Sequence, residues 1–565
     1  MILDGEHDKN MYINLSFNKI IIFLSFCLAV ALMIFLTLQY KEKIPSDLSS
    51  MDAFGNKIVI LSKSAYYSTK FWSFNTKLFA STILAFNTSK HEDTGSNGVA
   101  ASVPVLLYHG IVKTPDRFSM TVDTFAEQML ALKKAGYTAI SLQDFSDFMQ
   151  GKKDLSDKSV LITFDDGRAD SYEGADPVMR ALDFHAVMFV ATADSLNSRL
   201  APNSYYLDQS RILSMIQSGR WSVGSHAVQK DTDAGEIRID EQEDRGNFLS
   251  NKRWLVDQKR IETDEEYKQR ILNELVTSKS DLEEKLSTNV EAMSYPFSDF
   301  GQQTQNNPNA INVISDIVKT TYKYAFQQVS LENDLPTDFM ANYRFSDKYH
   351  LHRIEVGTEW SGKYLVDMLN NAHDKSMSWN DDFSVNRGWN PTWGSAYILS
   401  GDLDLKATPK TTGAFAFLDG SRNWTNYMFA ANIKVDNGSH VSLVSRYADK
   451  SNYVSCVFST DEVRIEEKID GASTILTRVK NSVNASMQNI TLGMLNDGSF
   501  VRCYEGDRVA AFTFKASPKL STGGIGFQIW NESPSTAHMQ VDNVNVVPID
   551  QSVDLKNKLP SYGIR

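Results

Sequence analysis

The longest apolar run of the chain lies near its N-terminus. Residues 20–38 read IIIFLSFCLAVALMIFLTL, nineteen residues without a charge. At helical rise this length crosses a bilayer core of about 30 Å. A signal peptide has a shorter apolar core and a small-residue cleavage site, which the following Gln39-Tyr40-Lys41 does not offer. The run therefore predicts an uncleaved transmembrane anchor after a short tail, residues 1–19.

The pattern of apolar and polar residues changes twice after the predicted anchor. Residues 39–102 end in the polar run NTSKHEDTGSNG and are typical of a membrane-proximal linker. From residue 103 to 375, apolar stretches alternate with segments of helical period. The stretches that resemble strands are VPVLLYHG, TAISL, SVLITF, HAVMFVAT, WSVGS, EAMSYPF, KYAFQQ and HLHRIEV. About eight β/α repeats predict a distorted (β/α) barrel of the α/β class rather than an open sheet.

Helical segments of this region carry their own signals. Phe125, Met129 and Leu132 recur at helical spacing after the first strand. A later helix is predicted to begin at Thr263, which with Glu266 can form a capping box. Both patterns predict helices with one apolar face against the barrel.

The C-terminal region has a different pattern of apolar and polar residues. Residues 378–550 consist of short alternating stretches such as NYMFAANIKV, HVSLVSRYA and MQVDNVNVV, separated by turn signals such as DNG and NDG. Hardly any stretch of this region has apolar residues at helical spacing. This region predicts an all-β sandwich, followed by a tail at residues 551–565.

Composition narrows the classes of function. The net charge of −12 over 565 residues disfavours non-specific binding to nucleic acid. Of three cysteines, Cys27 lies in the anchor, so Cys456 and Cys503 are the only candidate pair. Two unpaired, half-buried thiols are the favoured interpretation, and a disulfide is the alternative.

Polar residues follow three of the predicted barrel strands. Asp165-Asp166-Gly167 follows SVLITF, and His226 follows WSVGS. Adjacent carboxylates repel each other unless a cation relieves them, and barrel active sites lie at the carboxyl ends of strands. A third strand ends in Tyr295-Pro296-Phe297, which is either a proline-restricted turn or a backbone N–H at a pocket rim. These residues predict a site that binds a divalent cation.

The stretches LITFDDGRADSY, SVGSHAVQKD and AMSYPFSDFG resemble, in this order, the motifs of the polysaccharide deacetylases of the NodB-homology class, carbohydrate esterase family 4. The resemblance covers roughly residues 103–375. It implies a metal-dependent hydrolase that removes acetyl groups from N-acetylated sugars, with Zn²⁺ as the expected metal. It further implies that Asp165 is the catalytic base, that Asp166 and His226 are metal ligands, and that the Phe297 N–H binds the oxyanion.

Two positions depart from the family pattern. The second histidine of the metal site is replaced by Lys230 and Asp231. Asp231 can complete the ligand set, because carboxylate oxygens bind divalent metals, or it is a solvated loop residue that leaves the site weak. The general acid, a histidine on the last strand in the family, is assigned to His352. His109, Tyr295 and Arg353 are further candidate pocket residues.

The sandwich resembles the concanavalin-like or laminin-G-like jelly-roll modules of carbohydrate enzymes, through stretches such as GGIGFQIWNE. Trp424 and Trp530 are candidates for stacking on sugars, although each taken singly is more often core packing. The leading hypothesis is a single-pass protein of the cytoplasmic membrane, with its catalytic part outside the cytoplasm, that deacetylates an exopolysaccharide or cell-wall glycan. Polysaccharide synthesis or export machinery is a candidate partner. The alternative is a degenerate barrel that binds polysaccharide without catalysis.

Overall fold

The computed structural model describes residues 75–87, 98–196, 205–230, 232–480, 489–498, 500–513, 516–531 and 536–549. All of them belong to one compact unit, Asn75–Arg565. No helix among these residues is both long and apolar enough to cross a membrane. The predicted anchor at residues 20–38 lies outside the described residues, as do most of the predicted linker and the C-terminal tail.

Seven parallel strands close a barrel. In chain order they are β1 (Ser102–Tyr108), β2 (Ser159–Phe164), β3 (Ala186–Val190), β4 (Trp221–Ser225), β5 (Ala292–Ser294), β6 (Tyr324–Val329) and β7 (Leu351–Glu355). Around the barrel the order is β1-β7-β6-β5-β4-β3-β2, and β1 pairs with β2 in parallel to close the ring. Most of their residues are buried, as expected for strands covered by helices.

The sequence predicted about eight repeats, and the ring has seven strands. The stretch TAISL supplies only the two-residue strand Thr138–Ala139, which pairs with β2 outside the ring. On the other side, the short strand Ala341–Tyr343 pairs antiparallel with β1. Because β1 and β2 pair directly with each other, no eighth strand fits into the ring.

The helices are α1 (75–87), α2 (Val122–Lys134), α3 (Leu142–Met149), α4 (Ala169–Leu182), α5 (Gln209–Gln217), α6 (Asp264–Leu272), α7 (Ser278–Leu286), α8 (Ala310–Thr321) and α9 (Gly362–Ala372). The predicted capping box at the start of α6 is confirmed, with Thr263 and Glu266 each accepting a backbone hydrogen bond from the other residue. The predicted apolar face of α2 is also confirmed, because Phe125, Met129 and Leu132 are fully buried.

The C-terminal region consists of two antiparallel sheets. Its strands are β8 (Trp379–Asp381), β9 (Trp389–Trp393), β10 (Ser395–Leu399), β11 (Asp402–Lys406), β12 (Gly413–Leu418), β13 (Tyr427–Asn437), β14 (His440–Asp449), β15 (Asn452–Ser459), β16 (Glu462–Ile469), β17 (Ala472–Lys480), β18 (Ile490–Asn496), β19 (Val501–Glu505), β20 (Arg508–Thr513), β21 (Gly524–Trp530) and β22 (His538–Pro548). One sheet has the order β10-β11-β22-β13-β18-β19-β20 with β8 on β22, and the other has the order β9-β12-β21-β14-β15-β16-β17. Both contribute to a single hydrophobic core.

A disulfide links the two sheets across this core. It joins Cys456 of β15 to Cys503 of β19, with the two Cα atoms 5.7 Å apart. The interpretation of these residues as unpaired thiols was therefore wrong. The two cysteines lie 47 positions apart in sequence, and only the packing of one sheet on the other brings them together.

The barrel and the sheets pack directly on each other. Phe339, which follows β6 in the chain, lies against Phe417 and Tyr447, with ring centroids 5.1 and 5.7 Å away. The Met340 N–H donates to Asp419 of the sheet region at 3.3 Å. These buried contacts fix one region against the other.

Candidate active site

Asp165 lies at the carboxyl end of β2 and forms a buried ion pair. Its two carboxylate oxygens accept hydrogen bonds from Arg353 of β7 at 2.7 and 2.8 Å. The side chains are only 2% and 5% exposed, for Arg353 and Asp165 respectively. Burial alone would raise the pKa of Asp165, but the guanidinium outweighs it and holds that pKa far below its usual range. Asp165 is therefore a fixed anion.

His226 connects to Asp165 through one hydroxyl group. The His226 Nδ1 lies 2.6 Å from Ser294 Oγ, and Ser294 Oγ donates to Asp165 at 3.2 Å. Since the carboxylate can only accept, the hydroxyl proton points to Asp165, and Ser294 then accepts from His226 Nδ1–H. This network leaves the Nε2 lone pair of His226 available to a cation.

Asp166 lies on the other side of His226. Its Oδ1 atom is 3.5 Å from His226 Nε2, and its side chain is 34% exposed. The backbone of Asp166 is left-handed, with φ 71°, and Gly167 repeats that conformation. A non-glycine residue in this region is uncommon and strained. The turn therefore directs Asp166 toward His226 instead of continuing β2.

Two of the three predicted metal ligands thus lie side by side. Asp231, the third, lies outside the described residues, while Lys230 beside it is exposed. Within the described ranges, no three His, Cys, Asp or Glu side chains form a group that could hold a metal ion. The chemistry of the two described ligands nevertheless fits a divalent cation, because an imidazole with a free Nε2 and a carboxylate are both donors such ions accept.

His109 follows β1 and faces the same cluster. Its Nδ1 atom is 3.3 Å from Glu355 Oε1 of β7. Burial alone lowers the pKa of His109, but the surrounding carboxylates outweigh it and raise that pKa above the ordinary value. These carboxylates belong to Glu355, Asp165 and Asp166. His109 is therefore a histidine at the edge of the site whose environment favours its protonated form.

His352 does not join the cluster. Side chains alternate along a strand, and β7 directs Arg353 to Asp165 and Glu355 to His109. His352 lies between them on the opposite face, where its Nδ1 is 2.7 Å from the Phe339 carbonyl oxygen. The prediction of His352 as general acid is corrected by this placement, because its ring lies on the face of β7 opposite to Arg353 and Glu355.

Tyr295 and Phe297 form the strained turn after β5. Tyr295 is buried, and its hydroxyl donates to the Tyr349 carbonyl at 3.1 Å. Among the described residues, the Tyr295 hydroxyl therefore serves to hold this turn in place. Phe297 has φ 57° and a side chain that is 53% exposed. Its N–H donates no hydrogen bond to any described residue, so it remains free to meet an oxyanion.

The two tryptophans of the sheet region have different surroundings. Trp424 is 2% exposed and belongs to the hydrophobic core, so its prediction as a sugar platform is corrected: its faces are already packed. Trp530 is half-buried and stacks on His440, with the ring centroids 4.9 Å apart and the planes 7° from parallel. One face of Trp530 is therefore occupied.

Sequence reasoning missed Ser294 and Glu355. Ser294 ends β5 one position before the predicted turn, and nothing in its type distinguished it from other strand serines. Glu355 shares the face of Arg353 at period two. That pattern was readable, but the sequence did not indicate which face of β7 points inward.

Comparisons with known proteins relate part of this chain to polysaccharide deacetylases. The family model "Polysaccharide deacetylase" matches residues 152–313. YxkH of Bacillus subtilis (strain 168), named as a polysaccharide deacetylase, is 28% identical over 148 residues, covering 26% of this chain and 50% of that protein. The poly-beta-1,6-N-acetyl-D-glucosamine N-deacetylase of Escherichia coli (strain K12) is 26% identical over 199 residues, covering 32% of this chain and 28% of that protein.

A solved structure of a de-N-acetylase from Aggregatibacter actinomycetemcomitans is 19% identical, with a TM-score of 0.39, and covers 47% of this chain and 99% of that chain. The present chain spans about half the length of YxkH and less of the Escherichia coli enzyme. The matched range contains Asp165, Asp166, His226 and Phe297. The chain therefore contains a polysaccharide deacetylase domain, matched over residues 152–313.

Proposed function

We propose that the barrel hydrolyses the acetamide groups of an N-acetylated polysaccharide. The observation that carries this proposal is the meeting of Asp165, Asp166 and His226 at the carboxyl ends of β2 and β4, with Asp165 fixed as an anion by Arg353. The relative from Escherichia coli is named for a β-1,6-linked N-acetylglucosamine polymer, and a related glycan is the substrate class we propose here.

Asp165 accepts the proton of the attacking water. Its low pKa keeps it ionised, and the same low pKa makes it a weak base, so the water must itself be acidified. Arg353 and Ser294 orient the carboxylate, because they occupy three of its lone-pair directions. The reaction therefore needs a second group that increases the acidity of the water.

Asp166 and His226 would hold that group, a divalent cation, with Asp231 as the proposed third ligand. When bound, the cation would polarise the acetamide carbonyl and lower the pKa of water. The free Nε2 of His226 supports this proposal. Zn²⁺ is the proposed metal because nitrogen and carboxylate ligands suit it.

His109 donates the proton to the leaving amine. Its raised pKa favours the protonated imidazole, and Glu355 lies beside the ring. The Phe297 N–H supplies a hydrogen bond to the oxyanion. His109 therefore takes the role that the sequence assigned to His352.

We further propose that residues 20–38 anchor this domain in the cytoplasmic membrane, with the catalytic part outside the cytoplasm. A run of nineteen uncharged, mostly apolar residues supports that assignment. The sheet region would hold the polymer near the barrel as a jelly-roll module, and polysaccharide synthesis or export machinery would be the partner. The net charge of −12 disfavours nucleic acid as a partner.

Acetate release from N-acetylglucosamine oligomers tests the proposal. We expect Asp165→Asn to reduce the rate by about 100-fold or more, since a positioned base contributes about that much. Asp183→Asn is the matched control, because Asp183 is exposed and already has left-handed backbone, which asparagine tolerates. A wild-type protein that binds oligomers but releases no acetate, with or without Zn²⁺, would contradict the proposal and favour the non-catalytic alternative.

A further inference from the structure

A pocket of about 390 Å³ opens beside the proposed proton donor. It lies at the carboxyl ends of β1 and β7, and His109 and Glu355 form part of its wall. The remaining wall comes from loops that the catalytic cluster does not use, including Arg117, Phe118, Asp334, Glu359 and Trp360. The reaction proposed above assigns no role to these five residues.

The pocket carries an excess of negative charge. Asp334, Glu355 and Glu359 contribute three carboxylates, against the guanidinium of Arg117 and the imidazole of His109, which lies beside Glu355. The Arg117 guanidinium lies over the Phe118 ring, 5.1 Å from its centroid. Asp334 and Glu359 are exposed, and within the described ranges neither carboxylate forms a hydrogen bond or an ion pair. Both are available to a cationic ligand.

An unpaired donor is buried in the same wall. Trp360 is 5% exposed, and its indole Nε1 has no hydrogen-bond partner in the described part of the molecule. The loop around it is fixed, because the Trp360 carbonyl accepts from Gln128 at 2.8 Å and the Trp360 N–H donates to Gly357 at 3.1 Å. A buried indole N–H usually has a partner. This donor therefore lacks an acceptor.

Gly357 packs against that donor at the pocket wall. A β-carbon at Gly357 would lie 2.4 Å from Trp360 Nε1, closer than any real contact, so no other side chain fits there. Both residues line the pocket. An indole N–H donates only, so any partner for it must be an acceptor that reaches it beside Gly357.

We propose that this pocket binds a hexosamine unit with a free, protonated amine, next to the unit that is being deacetylated. This inference rests on the proposed function, because deacetylation is the reaction that produces such units. The ammonium has three donors and no acceptor, which suits Asp334 and Glu359. A sugar hydroxyl would accept from Trp360 Nε1, and the exposed ring of Phe118 offers an apolar face to the sugar.

The consequence is a preference for a partly deacetylated polymer. A neutral N-acetylated unit gains nothing from the two carboxylates, whereas an ammonium gains from both. Exposed ion pairs are weak, so each carboxylate contributes roughly threefold in affinity and the two together about tenfold. A chain that already carries one free amine would therefore bind better than a fully acetylated one.

Calorimetric titration of the full chain with a glucosamine trisaccharide tests this, because the ligand has no acetyl group left to lose. We expect the Asp334→Asn/Glu359→Gln variant to raise Kd about tenfold at pH 6. We also expect wild-type Kd to rise by a similar factor at pH 9, where the amine is neutral. Glu284→Gln is the matched control, since Glu284 is exposed and lies outside the pocket.

Trp360→Phe provides a second measurement. It retains an aromatic ring against Tyr364, whose centroid is 5.1 Å away, and removes the indole donor together with part of the ring. We expect it to weaken binding of the trisaccharide at both pH values. Unchanged Kd in both variants, while acetate release continues, would overturn the inference and leave the proposed function intact. Loss of affinity in these variants without any acetate release would support the pocket and overturn the proposed function.

Discussion

The buried Arg353–Asp165 pair gives a sharp test of how this site is held. Replacing Arg353 by methionine retains much of its apolar volume but leaves Asp165 as an uncompensated anion, 5% exposed. At the observed distances of 2.7 and 2.8 Å, the gross attraction is about 6 kcal/mol at an effective dielectric constant of 20. Breaking a buried pair in this way typically costs about 3–5 kcal/mol.

We therefore expect Arg353→Met to lower the free energy of unfolding by about 3–5 kcal/mol and the melting temperature by on the order of 10 °C. Differential scanning calorimetry of the wild type and the variant measures both. The apolar double replacement Asp165→Leu/Arg353→Met should recover most of the loss, because it removes both charges from the interior.

Arg260→Met is the matched control. The Arg260 guanidinium donates to both carboxylate oxygens of Glu266 with the same bidentate geometry, at 2.6 and 2.7 Å. These two side chains, however, are 38% and 40% exposed. An exposed pair contributes about 1 kcal/mol at most. If Arg353→Met costs no more than Arg260→Met, or if the double replacement is worse than the single one, the reasoning about burial is refuted.

Three further predictions follow from the described contacts. His109→Asn should reduce acetate release by about 100-fold, whereas His352→Asn should retain most of it; the opposite order would contradict the assignment of the general acid to His109. Burial raises the pKa of Asp419 to about 6, so the folded state holds this proton more tightly than the unfolded state. The free energy of unfolding should therefore fall by up to about 3 kcal/mol as pH rises from 4 to 6, and Asp419→Asn should flatten this dependence in denaturant titrations. Finally, Cys456→Ala/Cys503→Ala should lower the free energy of unfolding by about 4 kcal/mol, as a loop of 47 residues implies, and a loss below about 1 kcal/mol would show that the disulfide matters little.

Local patterns in the sequence were sufficient to predict most of the strands and helices. SVLITF and WSVGS form β2 and β4 at the predicted bounds, because each is an apolar, β-rich run closed by a turn. The capping box at Thr263 fixed the start of α6 for the same local reason. In contrast, the prediction that TAISL forms a barrel strand was wrong. The stretch is short, and only the neighbouring strands decide whether such a stretch joins the barrel.

The residue types of the site were also readable from the chain. Asp165, Asp166 and His226 follow strands directly, and parallel strands bring their carboxyl ends to one edge. The general acid was not readable. His352 and Ile354 occupy one face of β7, and Arg353 and Glu355 occupy the other. Strand periodicity separates these faces but gives no sign of which one points inward.

What the sequence by itself determined is therefore local: where strands and helices run, and which polar residues end them. Only the tertiary structure decided which strands pair and which distant side chains contact each other. Pairing of β1 with β2 closed the ring at seven strands, and the register of β7 between β1 and β6 turned Arg353 inward. That register joins Arg353 to Asp165 across 188 positions of chain. The physical reason is that a contact between distant residues depends on strand order and register, which are properties of the whole packed barrel rather than of any one segment.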